Sequence, residues 1–251
     1  MPRRNKPIPD PEGAIPTPAS RRGGMWRVMR RPLIWLGGWT RWIGLRLLAL
    51  MFVLVFVFSL INPPTSWTIL TETREYPGKP REWTSLDDIA PVMVRSVVAA
   101  EDANFCSHWG FDMREIRKVV ESGSNRGAST ISQQTAKNVF LWQGRSWPRK
   151  ALETLYTPMI EVLWSKRRIV EVYLNLAEFG PGVFGVHAAA THYFDTTPDK
   201  LTARQSAGLA SILPAPKSRK PQGGTARARA IADGAATIKA NGSDSCLLLD
   251  R

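Results

Sequence analysis

The chain has 251 residues and a formal net charge of +13, and it is long enough for one domain with a hydrophobic core plus appendages. It contains no Ser-x-x-Lys sequence, which excludes a serine acyl-transfer site of the β-lactamase type. The basic charge flanks an apolar run, so we expect phospholipid head groups or a phosphorylated substrate as its anionic partners, and no nucleic acid.

Residues 1–42 are predicted to form a basic arm that is largely disordered. The first 24 residues are rich in Pro, Arg and Gly and show no helical period. Through Arg46 the chain carries ten basic residues and only two acidic ones.

Residues 43–63 are predicted to form an uncleaved signal anchor that spans a membrane. The apolar run from Leu47 to Ile61 approaches, with the residues just before it, the roughly 20 residues that a bilayer requires. A buried core helix is the alternative for a shorter apolar run, but this helix would be apolar on every side and Asn62-Pro63-Pro64 ends it sharply. A cleaved signal peptide would be followed by a small-x-small site, which is missing here. Because basic residues crowd the N-terminal side, residues 1–42 are expected in the cytoplasm and the rest outside.

Residues 64–222 are predicted to form one mainly α-helical domain. It starts with a short strand or extended linker over Thr65–Trp83. Ser85 and Asp88 resemble a capping box for a helix whose apolar residues recur at helical spacing and which ends at Glu101.

Polar caps and a proline mark the next helices. Asp112 begins one helix, and Ser129 or Thr130 caps the following one. Pro148 is placed as the first residue of a helix that runs to about Trp164.

The later part of the domain alternates between helix and loop. Lys166–Asn175 is predicted to be helical, whereas three glycines and a proline predict a loop over Phe179–Gly185. Thr202 with Gln205 forms a capping box for one more helix.

Residues 223–251 are predicted to be a C-terminal tail, although residues 226–240 are compatible with a helix. The tail contains Cys246, and the other cysteine of the chain is Cys106. An even count permits one disulfide in an oxidising compartment, and two unrelated thiols are the alternative.

Four polar clusters interrupt the helical sequence. They read Glu-Asp-x-x-Phe-x-x-His-x-Gly from Glu101, Gly-x-Ser-Thr-Ile-x-Gln-Gln-x-x-Lys from Gly127, Arg-Lys-x-x-Glu from Arg149, and Lys-x-x-Ile-x-Glu-x-Tyr-Leu-Asn from Lys166. In this order they resemble the motifs of the family 51 glycosyltransferases, which polymerise lipid II into the glycan strands of peptidoglycan. The resemblance covers about residues 80–216.

The sequence Gly-Ala-Ser-Thr and the run Phe140–Trp147 are most similar to monofunctional members of that family from Gram-negative bacteria. The resemblance implies a lysozyme-like glycosyltransferase domain in the periplasm, preceded by one transmembrane helix in the inner membrane. It implies lipid II and the growing glycan strand as substrates, inversion at the anomeric carbon, and release of undecaprenyl diphosphate.

Such a reaction requires a base for the acceptor hydroxyl and cations for the departing diphosphate. The resemblance makes Glu101 the general base, and burial at the end of an apolar helix would raise its pKa. It makes Glu153 a second catalytic glutamate on the donor side. Because Arg149 and Glu153 are four residues apart on a helix, a simple ion pair is the alternative.

Asp102 and His108 belong to the active site by resemblance and are predicted to contact substrate. Asp102 either raises the pKa of Glu101 by repulsion or caps the following turn. For His108 a local hydrogen bond is favoured over a role as a metal ligand or a base, because the sequence shows no second His, Cys or carboxylate at ligand spacing. Phe105 is predicted to be a packing anchor and Gly110 a backbone requirement.

Lys137, Arg149 and Lys150 supply cations, and the resemblance assigns Lys137 and Arg149 to the donor pyrophosphate. Ordinary surface basicity is the alternative. The resemblance also provides neutral groups for sugar hydroxyls and phosphate oxygens, whose alternative use is capping: Ser129, Thr130, Gln133 and Gln134.

Glu171, Tyr173 and Asn175 in the fourth motif are predicted to support the site structurally. Aromatic and apolar residues between the second and third motifs are predicted to form a lip that dips into lipid head groups, with a core stripe as the alternative. They are Phe140, Leu141, Trp142 and Trp147.

No cofactor is assigned from the sequence. A divalent cation such as Mg²⁺ bridging the pyrophosphate suits the reaction type, but no ligand set identifies a metal site. Two other functions compete: a lytic transglycosylase or muramidase, and a non-catalytic membrane scaffold for cell-wall synthesis. Proteins of the division or elongation machinery are further candidate partners.

Overall fold

The computed structural model describes residues 22–75, 81–123, 127, 129–144 and 146–249, and gives no side-chain detail for 22–38 and 73–75. The chain divides within its first helix into two compact units, Met1–Leu50 and Met51–Arg251. The predicted fold class is confirmed, because the described residues form ten α-helices and one two-stranded sheet, with a candidate membrane helix towards the N-terminus.

The first helix, α1 (Arg22–Leu60), contains the predicted anchor. Its segment Trp39–Leu60 is long and apolar enough to cross a membrane and is almost entirely exposed. Helix α1 begins at Arg22, 21 residues before the predicted start of the anchor at residue 43. Adding a residue to an existing helix gains one hydrogen bond without a new nucleation cost, which favours this extension. The prediction of a largely disordered arm is therefore wrong from Arg22 onward, and residues 1–21 lie outside the described residues.

The last part of α1 packs within the second unit. Val55 is fully buried, and the indole Nε1 of Trp164 donates a hydrogen bond to its carbonyl oxygen at 2.7 Å. The guanidinium of Arg168 donates to the carbonyl oxygens of Phe58 and Ile61. Since carbonyls at a helix C-terminus lack partners within the helix, Arg168 caps α1.

Helix α2 (Trp67–Glu75) occupies the first part of Thr65–Trp83, where a strand or linker was predicted, so that prediction is wrong for residues 67–75. Residues 81–83 have no regular secondary structure, and residues 76–80 lie outside the described residues. The hydroxyl of Ser66 accepts a hydrogen bond from the backbone N–H of Ile69 at 3.3 Å, which supports the first turn. Thr68 and Ile69 are buried, so tertiary packing overrides the strand preference of β-branched residues.

Eight further helices and one hairpin complete the second unit. The helices are α3 (Pro91–Glu101), α4 (Met113–Ser122), α5 (Ile131–Phe140), α6 (Trp147–Leu163), α7 (Lys166–Leu176), α8 (Val186–Phe194), α9 (Ala203–Ile212) and α10 (Ala226–Asn241). The antiparallel strands β1 (Glu178–Gly180) and β2 (Val183–Phe184) overlap the predicted loop Phe179–Gly185. They were not predicted, because strands this short show no recognisable hydrophobic period.

Most predicted caps are present. Asp112 caps α4, and Thr130 and Thr202 form capping boxes at α5 and α9. The capping box predicted at Ser85 is wrong, because its side chain makes no cap bond and α3 begins only at Pro91. Proline suits that first position, where the missing N–H would have no partner in the helix.

Helix α3 packs against α9 and α10, and α5 packs against α6 and α7. In α10, Ala228, Ile231 and Ile238 are buried in the common core. The prediction that residues 223–251 form a separate tail is therefore wrong. Much of the buried face of α10 is alanine, which gives a weak apolar pattern in the sequence.

Cys106 and Cys246 form a disulfide, with their Cα atoms 5.6 Å apart. The bond connects the turn at Phe105–Ser107, which follows Glu101 closely, to the C-terminal turn at Ser245–Leu247. The alternative of two unrelated thiols is excluded for this structure.

Candidate active site

Glu101 is the last residue of α3, and the buried side chains of Met93 and Val97 anchor that helix in the core. Its Oε2 accepts a hydrogen bond from Gln134 Nε2 at 2.8 Å, whereas its Oε1 is buried with no hydrogen-bond partner among the described residues. Burial raises the pKa of Glu101, and the Gln134 bond and the charge of Arg227 oppose this only in part. One oxygen thus remains to accept a proton, as a general base requires.

Asp102 connects the first motif to the second. One of its oxygens accepts a hydrogen bond from the backbone N–H of Ile131 at 3.0 Å, in the first turn of α5, and the other lies 2.8 Å from His108 Nε2. The local hydrogen bond predicted for His108 is therefore observed. Asp102 caps the start of α5 and not the turn that follows it, and its negative charge raises the pKa of Glu101, as the repulsion alternative predicted. Asp102 also lines the cavity beside Glu101, and the Nδ1 of His108 is buried with no hydrogen-bond partner among the described residues. Substrate contacts by this pair stay a prediction.

Asp102, His108 and Asp112 bring donor atoms within 4.8 Å of one another, although the sequence showed no carboxylate at ligand spacing from His108. The carboxylate of Asp112 already accepts hydrogen bonds from the Asn104 side chain and from two backbone N–H groups. Because Mg²⁺ prefers about six oxygen ligands, often including waters, and these oxygens serve other donors, the cluster does not fit a Mg²⁺ site.

Thr130 and Gln133 complete the N-terminus of α5. The Thr130 hydroxyl accepts a hydrogen bond from the N–H of Gln133 at 3.2 Å and donates one to the carbonyl oxygen of Gly110 at 2.6 Å. Gln133 Oε1 accepts a hydrogen bond from the N–H of Thr130 at 3.1 Å. Both residues thus have the predicted alternative use as caps, while Ser129 lines a cavity beside Glu101.

Gly110 ends the first motif in a conformation that favours glycine, with φ of +77°. A Cβ atom there would lie 2.6 Å from Thr157 Cγ2 and 3.1 Å from Glu161 Cγ. The predicted backbone requirement is confirmed, because α6 passes too close for any side chain.

Lys137 in α5 lies near charged residues of both the first and the third motif. Its ammonium group makes no hydrogen bond or ion pair with any described residue. Burial lowers its pKa, while the negative charges of Glu153 and Glu101 raise it and Arg149 lowers it further. Lys137 therefore lies within electrostatic range of both predicted catalytic glutamates, and its donors remain for an anion.

Glu153 is buried in α6, with an exposed fraction of 3%. Its Oε2 accepts a hydrogen bond from Arg149 Nη1 at 2.9 Å, and its Oε1 pairs with Lys150. The ion pair weighed as an alternative is therefore present. Arg149 nevertheless keeps a buried Nε without a partner in the described part of the chain.

Three cavities adjoin these residues. One of about 330 Å³ is lined by Glu101 and Ser129. A second of about 190 Å³ is lined by Gln134 and Lys137. A third of about 290 Å³ is open to solvent and lined by Ser146, Trp147, Arg149 and Lys150. The predicted base and the predicted cations thus all face space that substrate can enter.

Two charged residues near the site were missed in the sequence. Glu178 lines the cavity of Lys137 and Gln134, and burial raises its pKa to about 6. The one feature of the sequence that could have indicated a role for Glu178 is its position just after the fourth motif. Arg227 acts on the pKa of Glu101 from the segment predicted as a tail.

The fourth motif is structural, as predicted. The side-chain amide of Asn175 accepts a hydrogen bond from the N–H of Thr84 and donates one to its carbonyl oxygen, both at 2.8 Å. Glu171 pairs with Arg168 at 2.7 Å, and Tyr173 is buried.

The predicted lip divides into a buried and an exposed half. Leu141 is buried and Phe140 stacks on Tyr156 with ring centroids 4.4 Å apart, so these two belong to the core. Trp142 is 39% exposed and Trp147 is 89% exposed. Of the four residues predicted to form the lip, the two tryptophans are therefore the ones available for lipid.

The chain is similar in sequence to known proteins. A family model described as transglycosylase matches residues 68–238. A biosynthetic peptidoglycan transglycosylase of Jannaschia sp. (strain CCS1) is 53% identical over 203 residues, which cover 79% of this chain and 84% of the relative.

Two further relatives carry the same name. The protein of Caulobacter vibrioides is 48% identical over 168 residues, covering 65% of this chain and 73% of the relative. The protein of Xanthomonas campestris pv. campestris (strain B100) is 47% identical over 181 residues, covering 66% and 74%.

Proposed function

Because the chain belongs to the transglycosylase family and is a glycosyltransferase of peptidoglycan synthesis, we propose that it polymerises lipid II into β-1,4-linked glycan strands. The acceptor 4-hydroxyl attacks the anomeric carbon of the donor, the configuration inverts, and undecaprenyl diphosphate leaves. A lack of transpeptidase activity is part of the proposal, supported by the absence of Ser-x-x-Lys in these 251 residues.

Glu101 takes the proton of the acceptor hydroxyl as the new C–O bond forms. Its Oε1 is buried and accepts no hydrogen bond from the part of the chain that the structure describes, which supports this role, since an oxygen already holding a hydrogen bond is a poorer base. Burial raises the pKa of Glu101, so it lies closer to neutral pH than the pKa of an exposed glutamate does.

The departing diphosphate gains negative charge as the bond to the anomeric carbon breaks. Lys137, Arg149 and Lys150 supply positive charge for it, and Glu153 holds Arg149 and Lys150 in place. We derive no step through a metal ion, because the cluster of Asp102, His108 and Asp112 does not fit a Mg²⁺ site. A Mg²⁺ requirement stays a prediction, which EDTA treatment and readdition check.

One observation carries the proposal: Lys137, which has no hydrogen-bond or ion-pair partner among the described residues, lies within electrostatic range of Glu101, Glu153 and Arg149. A muramidase or lytic transglycosylase has no diphosphate to hold, and a scaffold has no use for a partly buried ammonium that no described residue pairs. Incubation of the purified protein with labelled lipid II separates the three functions. We expect polymer, whereas shortening of added glycan strands, or no reaction, would contradict the proposal.

Replacing Lys137 by Met should reduce kcat/KM for lipid II by about 100- to 1000-fold, because the developing diphosphate charge loses a desolvated cation. The measurement is polymerisation of labelled lipid II in detergent. Lys239→Met, which changes an exposed lysine in α10, is the matched control and should retain normal turnover. A Lys137→Met variant within threefold of the wild type would remove Lys137 from the site.

The membrane placement is also proposed. The N-terminus lies in the cytoplasm and the catalytic domain in the periplasm, anchored in the bacterial inner membrane through Trp39–Leu60. The excess of basic residues before the apolar run supports this orientation. Anchoring confines enzyme and lipid-linked substrate to one plane, which raises their effective concentration.

Trp142 and Trp147 are proposed to contact phospholipid head groups, since indole rings favour the membrane interface. Replacing both by Ser should reduce the quenching of tryptophan fluorescence by bromine-labelled lipids when the full chain is held in nanodiscs. Trp109→Ser, at a 73% exposed position outside this pair, is the comparison. Equal quenching losses in the double variant and in Trp109→Ser would reject the lip.

A further inference from the structure

The only hydrogen bond recorded for the Glu101 carboxylate in the described part of the chain comes from Gln134. The Gln134 side chain has a donating NH₂ end and an accepting oxygen end of nearly equal size. Only the NH₂ end can stabilise a carboxylate, and the oxygen end would repel it. The chemistry of Glu101 therefore depends on which end of this amide faces it.

Tyr173 in α7 decides that orientation. Its hydroxyl oxygen lies 3.3 Å from Gln134 Oε1, on the side of the amide away from Glu101. Burial and the negative charge of Glu101 raise the pKa of Tyr173 well above its ordinary value, so the hydroxyl keeps its proton. A neutral phenol donates to the amide oxygen, which leaves the NH₂ end for Glu101.

We infer that Tyr173 is a positioning residue, whose hydroxyl holds the Gln134 amide so that its NH₂ group donates to Glu101. It acts through Gln134, and its exposed fraction of 2% leaves it little surface for substrate. This inference rests on the proposed role of Glu101 as the base and deepens it, because it names what fixes the base in place.

Other charged groups also shift the pKa of Glu101, and their effects must be separated from that of the Tyr173 hydroxyl. Arg227 in α10 and Lys137 in α5 lower its pKa, while Asp102 beside it raises it. None of them contacts the Tyr173 hydroxyl through a recorded hydrogen bond in the described residues. Removal of that hydroxyl therefore isolates the contribution of the amide orientation.

The test is Tyr173→Phe in the full chain, which removes one oxygen and keeps the ring that fills the core. The freed amide turns its NH₂ end away from Glu101 part of the time, and the carboxylate loses a bond that lowers its pKa. We expect the acid limb of the kcat/KM profile to move up by about one pH unit, with kcat reduced about tenfold at neutral pH. KM for lipid II should change less than about twofold, since no substrate contact is removed.

Two comparisons separate positioning from a general structural effect. Tyr193→Phe removes a hydroxyl that donates to the carbonyl oxygen of Phe179 at 3.0 Å, and it should leave the acid limb in place. Gln134→Met should shift the limb by itself, and adding Tyr173→Phe to it should cause no further shift. Additive shifts would mean that Tyr173 acts by another route.

A readout independent of turnover distinguishes this inference from the proposed function. The pKa of Glu101 can be followed by the NMR signal of ¹³C-labelled glutamate Cδ, assigned by its loss in Glu101→Gln. If Glu101→Gln keeps polymerising lipid II, the proposed base is wrong. If Glu101→Gln is inactive but Glu101 titrates identically in the wild type and in Tyr173→Phe, the positioning role alone is overturned.

Discussion

Glu101→Gln should reduce the polymerisation of lipid II by about 1000-fold, because the amide cannot take the proton of the acceptor hydroxyl. The side chain keeps its size, and α3 and its core contacts are unchanged. We expect the loss in kcat with little change in KM, since the proton transfer occurs only in the transition state. Measurement of initial rates with labelled lipid II checks this.

The stability of the same variant provides a second check. The folded-state pKa of Glu101 is raised, so the folded protein binds the proton more tightly than the unfolded chain does. Stability is therefore lost as the pH rises from the unfolded-state value of about 4.3 through the folded-state value, and it stays lost at neutral pH. Glu101→Gln should be at least as stable as the wild type at pH 7, and this advantage should disappear in acid.

Glu121→Gln is the matched control, because it removes an exposed carboxylate from α4. It should leave both turnover and stability unchanged. Turnover by Glu101→Gln above about one tenth of the wild-type rate would exclude Glu101 as the base, since loss of a general base usually costs more.

Loss of the disulfide should lower the free energy of unfolding by about 4–5 kcal/mol. Cys106 and Cys246 are 140 residues apart in sequence, and a closed loop of this length strongly restricts the unfolded chain. The double variant Cys106→Ser, Cys246→Ser should therefore unfold at lower urea concentration than the oxidised protein. Unfolding of the full chain in detergent, followed by tryptophan fluorescence, measures the difference.

The folded state should survive this change, because other contacts hold the same segment. Arg95 Nε lies 2.6 Å from Asp244 Oδ2, Leu247 is fully buried, and Arg167 donates to the carbonyl oxygen of Leu247. Reduction should destabilise the wild type to the level of the double variant and have no effect on the double variant itself. Equal stability of oxidised and reduced wild type would show that the bond does not constrain unfolding.

Local patterns in the sequence determined much of the secondary structure. Asp112 and Thr130 cap the helices that they were predicted to cap, because a cap requires only a polar side chain and the next three residues. The apolar run before Pro63 indicated a membrane helix, since length and hydrophobicity are properties of the segment itself. The four motifs indicated the family, and similarity to known transglycosylases confirmed it.

Segments whose structure depends on packing were predicted less well. Residues 67–75 are helical despite a strand-like composition. Alanines make up part of the buried face of α10, so its apolar pattern is weak in the sequence. In both cases the stabilising contacts come from other parts of the chain, and the local sequence does not contain them.

The sequence by itself therefore determined the helices that begin with a local cap, the membrane helix, and the candidate site residues Glu101 and Lys137. Only the tertiary structure decided their partners: Gln134 for Glu101, the start of α5 for Asp102, and Cys246 for Cys106. The physical reason is distance along the chain. Caps and amphipathic faces form between neighbours in sequence, whereas the hydrogen bonds that prepare a base for catalysis join residues brought together only when the helices pack.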